Sequence, residues 1–162
     1  MRGVLVRDLK CLRRQVEAYP DERDLWQTPP GVSNSAGNLA MHLAGNIQHF
    51  VGMHLGGSSY QRDRDAEFSS RHVSRTELLG AIDASIDAVE QTMPRVTDEQ
   101  MDKADGIRMG DTTFMTGEFV MHLISHFGYH LGQVDYHRRV VTGEAGKLGA
   151  VSPMELGTAK AV

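Results

Sequence analysis

Apolar positions return along this chain with a helical period. Leu5, Leu9, Leu12, Val16 and Tyr19 follow one another at steps of four and three, which predicts a helix over 4–19 with one buried face. Pro20 stops it, and the prolines of the stretch Trp26 to Gly31 predict a loop. A second helix is predicted from Ser33 to Ser35, whose hydroxyls can cap free amides. Leu39, Leu43, Ile47, Phe50 and His54 form its buried stripe, and Gly56-Gly57 ends it. Residues 58–71 are polar and predict an irregular connection. Ser74 with Glu77 three residues later is a capping box that opens a third helix; Leu78, Ile82, Ile86, Val89 and Met93 line it and Pro94 closes it. Ile107–Met109 and Thr112–Phe114, around Gly110-Asp111, predict a short hairpin with a II′ turn. The fourth helix runs from Thr116 or Gly117 to Val141 on Val120, Leu123, Ile124, Phe127, Leu131 and Val134, with Gly143 as its stop. Ser152 to Glu155 starts a short last turn. Four long amphipathic helices predict an all-α fold, a four-helix bundle, as a single domain over 1–162 with 143–162 peripheral.

Composition narrows the function classes. The chain has 162 residues, enough to bury a core without disulfides, and a formal charge of −4 with no basic block, which argues against nucleic acid as a partner. Apolar runs are too short to cross a bilayer, and Arg7, Asp8, Lys10, Arg13 and Arg14 interrupt any signal-peptide core. The single cysteine, Cys11, fits a cytoplasmic protein and reads as a small core residue.

The histidines change the picture. His122, His126 and His130 stand four apart on the fourth helix, where chance gives roughly 0.02 such triplets for eight histidines in this length. Imidazoles one turn apart can reach one metal ion, whereas the outer pair, about 11 Å apart along the axis, cannot share it. One turn therefore supplies two ligands, and a third must come from another helix. His42 on the second helix is the best donor, on a polar flank with Asn38, Asn46 and His49. His49, His54, His72 and His137 read as hydrogen-bonded histidines at the edge of the core. The chain has no Glu-x-x-His, no His-Glu-x-x-His and no phosphate-cradling glycine motif. This argues against a ferritin-like di-iron site, a zincin protease and a nucleotide site.

The segments Asn38-Leu39-Ala40-Met41-His42-Leu43-Ala44-Gly45-Asn46 and Ser125-His126-Phe127-Gly128-Tyr129-His130-Leu131-Gly132-Gln133 resemble the DinB/YfiT-like superfamily. Tyr60 to Phe68 resembles the loop after the second helix of that family. The resemblance implies a bundle, often dimeric, with a divalent ion, zinc or nickel, in a cleft between helices. Residue by residue it carries the metal triad to His42, His126 and His130. Leu131 stands where family members often carry Arg, which removes an anion anchor.

Three neutral imidazoles leave a coordination position open, the arrangement of a catalytic site. An ion held there could activate water for amide or ester hydrolysis, or a low-molecular-weight thiol for transfer to an electrophile. The resemblance favours the thiol. Asn46, His122 and Gln133 are candidate orienting groups, and Glu118 could orient His122 or simply favour its helix N-terminus. The competing class is a non-catalytic bundle that binds metal or a small ligand. A homodimer is expected on resemblance, with the charged loop 62–65 or the C-terminal segment as contact; solvated charge is the simpler reading of that loop.

Overall fold

The apolar stripes become helices in the computed structural model of the chain, which describes residues 1–146, 148 and 151–160. Helix α1, Arg2–Glu17, buries Leu5, Leu9, Leu12 and Val16, and Tyr19 is buried just past its end. Cys11 is also in the core, and burial pushes its thiol up, so it stays protonated and packs as an apolar group.

Helix α2, Ala36–Ile47, is capped by the Ser35 side chain, which accepts from the Asn38 amide. The expected unbroken helix to His54 does not form. Beyond Ile47 the backbone widens into a π-helix over Gln48–Leu55, and the Gly56 amide donates to the Val51 carbonyl five residues back at 3.0 Å. Steps of three and four carry no information on such widening, so the apolar stripe could not reveal it.

The connection 58–71 contains a helix as well. The Asp63 carboxylate caps α3, Arg64–Ser69, a six-residue element too short to display a period. Helix α4, Arg75–Thr92, opens on the predicted capping box of Ser74 and Glu77. A second capping box, Thr97 with Gln100, starts the short helix α5, Asp98–Met101, which was not predicted. Strands β1, Ile107–Met109, and β2, Thr112–Phe114, form the predicted antiparallel hairpin with Met109 opposite Thr112. Gly110 turns it at a φ of 58°, a conformation that favours glycine. Helix α6, Thr116–Thr142, ends at Gly143 with a φ of 73°.

The described chain is predominantly helical, and α1 and α2 each pack against both α4 and α6. Leu5, Leu9, Leu43, Ile47, Ile82 and Phe127 meet between them. The helix pair α2–α6 is the one that matters for function, because it carries the histidines. None of the described helices is long and apolar enough to cross a membrane.

The C-terminal segment is tied down where it is described. Arg138, 1% exposed, donates to Gln15 Oε1 at 2.8 Å and to the Gly146 carbonyl at 3.0 Å. Arg14 reaches Glu155 at 3.1 Å, beside the short turn Pro153–Glu155. Residues 147, 149, 150, 161 and 162 of the segment lie outside the described residues. The charged loop is more than solvated charge. Asp63 caps α3, Arg62 turns inward to Glu67, and the Arg64 guanidinium lies 5.3 Å from the Phe68 ring centre.

Candidate metal centre

Helix α6 presents His126 and His130 one turn apart toward α2, whose His42 is only 6% exposed. One ring nitrogen from each of the three lies within 4.8 Å of the others. His42 Nε2 and His126 Nε2 are 3.3 Å apart. Two ligands of a tetrahedral ion with bonds of about 2.0–2.1 Å are about 3.3–3.4 Å apart, so the separation suits a shared metal. The three residues assigned to metal from the sequence are therefore brought together, close enough to bind one ion.

What holds the rings matters as much as where they lie. His42 Nδ1 donates to Glu67 Oε2 at 2.9 Å, and Arg62 clamps the same carboxylate through two bonds, Nε to Oε1 at 2.7 Å and Nη2 to Oε2 at 2.8 Å. A carboxylate can only accept here, so the proton of neutral His42 sits on Nδ1 and the lone pair on Nε2. His130 Nδ1 meets Gln133 Oε1 at 2.6 Å, which places its lone pair on Nε2 as well. His126 Nδ1 faces the Asn46 amide at 3.4 Å. The amide nitrogen points at the ring, and Asn46 Oδ1 is buried without a partner. Turning the amide over gives Oδ1 the His126 Nδ1 proton and moves the unpaired end to the NH₂. His126 Nε2 then carries a lone pair facing that of His42, an arrangement that a cation between them stabilises. The donor set fits a divalent ion: three imidazoles, each with an outer partner for Nδ1.

Electrostatics agree with neutral ligands. Burial, then the neighbouring His130, His42 and His122, pushes His126 down to about 4. Burial also lowers His130, against the opposing bond to Gln133. Burial by itself would raise Glu67, but the Arg62 and His42 bonds outweigh it and hold the carboxyl below its ordinary value. A charged carboxylate behind a neutral imidazole raises that ligand's basicity.

The other expected residues divide. Asn46 and Gln133 each stand behind a ring of the cluster, His126 and His130 respectively. His122 is exposed, its ring 5.7 Å from that of His126, outside the group of three. Glu118 is exposed in the first turn of α6. His137 is hydrogen-bonded at the core edge, as expected. His49 is not: its Nδ1 is buried without a partner, and its ring lies 4.8 Å from that of His54 across the π-turn. Asn38 spans away from the cluster to the carbonyls of Glu67 and Ser70, fastening α3 to α2.

Glu67, Arg62 and Gly45 were missed. Gly45 leaves the space that Glu67 fills, since a Cβ at that position would run into the carboxylate. Asp63, standing three residues before Ala66 as a cap, was the one signal in the sequence that could have placed Glu67 on a helix.

The cluster opens on a cleft lined by Asn34, Arg64, Asp65, Phe68 and Ser69, so a fourth ligand can arrive from solution. A family model described as "Protein of unknown function (DUF1572)" matches residues 2–152. No curated protein and no solved structure is similar enough to match.

Proposed function

The chain belongs to the family described as "Protein of unknown function (DUF1572)", and from the convergence of its three imidazoles we propose that it is a metal-dependent enzyme of the DinB/YfiT-like four-helix-bundle type. His42, His126 and His130 hold zinc or nickel, and the cleft admits the reacting molecule. When bound, the ion supplies Lewis-acid activation of a nucleophile, a thiol or water.

The carrying observation is that two of the three rings have Nδ1 held by an oxygen acceptor, Glu67 or Gln133, leaving Nε2 for metal. Asn46 does the same for His126 once its amide is turned. These outer groups fix tautomer and ring orientation, and Phe68, whose ring centre is 4.8 Å from that of His42, covers one side of the site.

A low-molecular-weight thiol is favoured over water as the nucleophile. The family resemblance favours the thiol, and Arg64 lines the cleft beside the three rings, a cation available to an anionic group on such a molecule. It provides the cation that Leu131, buried in the core, does not. The protein acts as a cytoplasmic homodimer in this reading.

Elemental analysis of protein purified without an affinity tag tests the site. About one zinc or nickel per chain is expected, lost in His42→Ala and His126→Ala while the helical circular dichroism persists. No metal in the parent, even after zinc and nickel are supplied to the apoprotein, overturns the proposal. Thiol-consumption assays against a panel of electrophiles then separate transferase from hydrolase.

A further inference from the structure

A second recess adjoins the histidine cluster. It runs between α6 and the turn at 29–34, has a volume of about 480 Å³, and counts His130 and Gln133 among its lining residues. Asn34 and His130 line both this groove and the cleft over the three histidines, so the two spaces meet at a metal ligand.

The chemistry of the two spaces differs. The groove is lined by no Asp, Glu, Lys or Arg. The cleft carries Arg64 and Asp65, and the recess between α1 and α6 carries Arg7, Asp8, Asp135 and Arg139. Its walls are apolar and aromatic. Tyr129 and Tyr136 stand 66% and 69% exposed, two turns or about 10.5 Å apart along α6, with Val140 beyond them at 64%. Core packing does not account for two tyrosines so exposed on the wall of one recess. Their rings offer flat apolar surface with little rotamer entropy to lose. His130 and Asn34 place polar groups where the groove meets the cleft, and Gln133, Ser33 and His137 also line it, so a mostly apolar ligand has polar groups to orient it.

We infer that this groove is a binding subsite for an uncharged small molecule with an aromatic or branched aliphatic body, its polar end directed to His130. The inference rests on the metal reading only in making this molecule the second substrate; the binding itself depends on the groove's own residues. A volume of this size suits a small organic molecule rather than a macromolecule.

The test uses three probes of one shape: 2-naphthylmethanol, 2-naphthoate and 2-naphthylmethylammonium, titrated by calorimetry into the protein as purified and after metal removal. In the metal-free protein the alcohol is expected to bind at least ten-fold tighter than either ion. Tyr136→Ala and Val32→Asp each weaken the alcohol at least five-fold. Met121→Ala, on an exposed α6 side chain outside the groove, leaves its affinity within two-fold. Equal binding of the three probes, or indifference to Tyr136→Ala and Val32→Asp, overturns the inference whether or not the protein holds metal. If those variants instead convert a dimer to monomers in sedimentation velocity and the alcohol does not bind, the groove is a subunit seam and the inference falls. Selective binding of the alcohol by a parent that takes up no metal sinks the metal reading alone and leaves the subsite standing.

Discussion

Two histidine arrangements on α6 face inward, and they are built on opposite plans. His137 has a partner on each ring nitrogen: Tyr19 donates its hydroxyl to Nδ1 at 2.8 Å, and Nε2 meets the Gln27 carbonyl at 2.8 Å. Burial pushes the Tyr19 hydroxyl up and lowers His137, so both stay neutral and the network closes on itself. Two turns earlier, His130 has one nitrogen held by Gln133 while the other is left for the space it shares with His42 and His126. A histidine whose two nitrogens are both satisfied inside the protein is a structural part. Histidines that are held by one nitrogen and converge with the other make a site, because burial leaves those lone pairs for a ligand to use.

The widest separation of the two plans is in what each variant loses. His137→Ala strands the buried Tyr19 hydroxyl and the Gln27 carbonyl, and is expected to cost about 2–4 kcal/mol of stability. It should leave the metal stoichiometry at one per chain. His130→Ala is the converse: the metal is lost, yet the metal-free protein changes by less than about 1 kcal/mol, since the ring is half-buried with one bond to Gln133. Denaturant titration of the metal-free proteins, paired with elemental analysis, checks both. Equal stability losses would erase the distinction.

How far the sequence revealed this difference follows from distance along the chain. The four long helices and their caps were visible because periodicity and capping are local and repeated: Leu5 to Tyr19, Ser74 with Glu77, Gly143. Helical spacing narrowed the ligands to His42, on a polar flank of an apolar helix, and one neighbouring pair among His122, His126 and His130; the family resemblance selected His126 and His130. Glu67 was hidden, because a single turn of helix has no period and its partners Arg62 and His42 are defined only in three dimensions. The π-turn after Ile47 was equally hidden, and with it the burial of His49 Nδ1 without a partner. Nothing local to α6 marks Arg138 as buried; its burial goes with a bond to Gln15, 123 residues away.

The two plans differ again in the groups behind the rings. Glu67→Ala is expected to weaken metal binding 10–100-fold by releasing His42 and leaving Arg62 without its carboxylate. Gln133→Ala should fall near the lower end, since a neutral amide is lost. Gly45→Ala touches no imidazole, yet it should approach the Glu67→Ala loss, because the added methyl displaces the carboxylate. Competition against a chelator of known affinity measures all three. Parent-like binding in Gly45→Ala would mean that Glu67 does not orient His42.

The slope of stability against pH bears on both plans at once. His126 titrates at about 4 in the folded chain and near the ordinary 6.5 once unfolded. Between those values the unfolded chain holds a proton that the folded chain refuses, so its contribution to stability is present above about pH 6.5 and is lost as pH falls toward 4. His130 and His137 are lowered too and act in the same direction. Metal-free His126→Gln and metal-free His137→Gln should therefore each flatten the acid slope, because each removes one refused proton. Metal breaks the symmetry. Bound ligands must be deprotonated, so zinc should raise stability near neutrality and make its loss on acidification steeper. That steepening should appear in the parent and in His137→Gln, and be absent from His126→Gln. Urea titrations at half-unit pH steps, with and without zinc, read the slopes; steepening by zinc in His126→Gln would remove that ring from the ligand set.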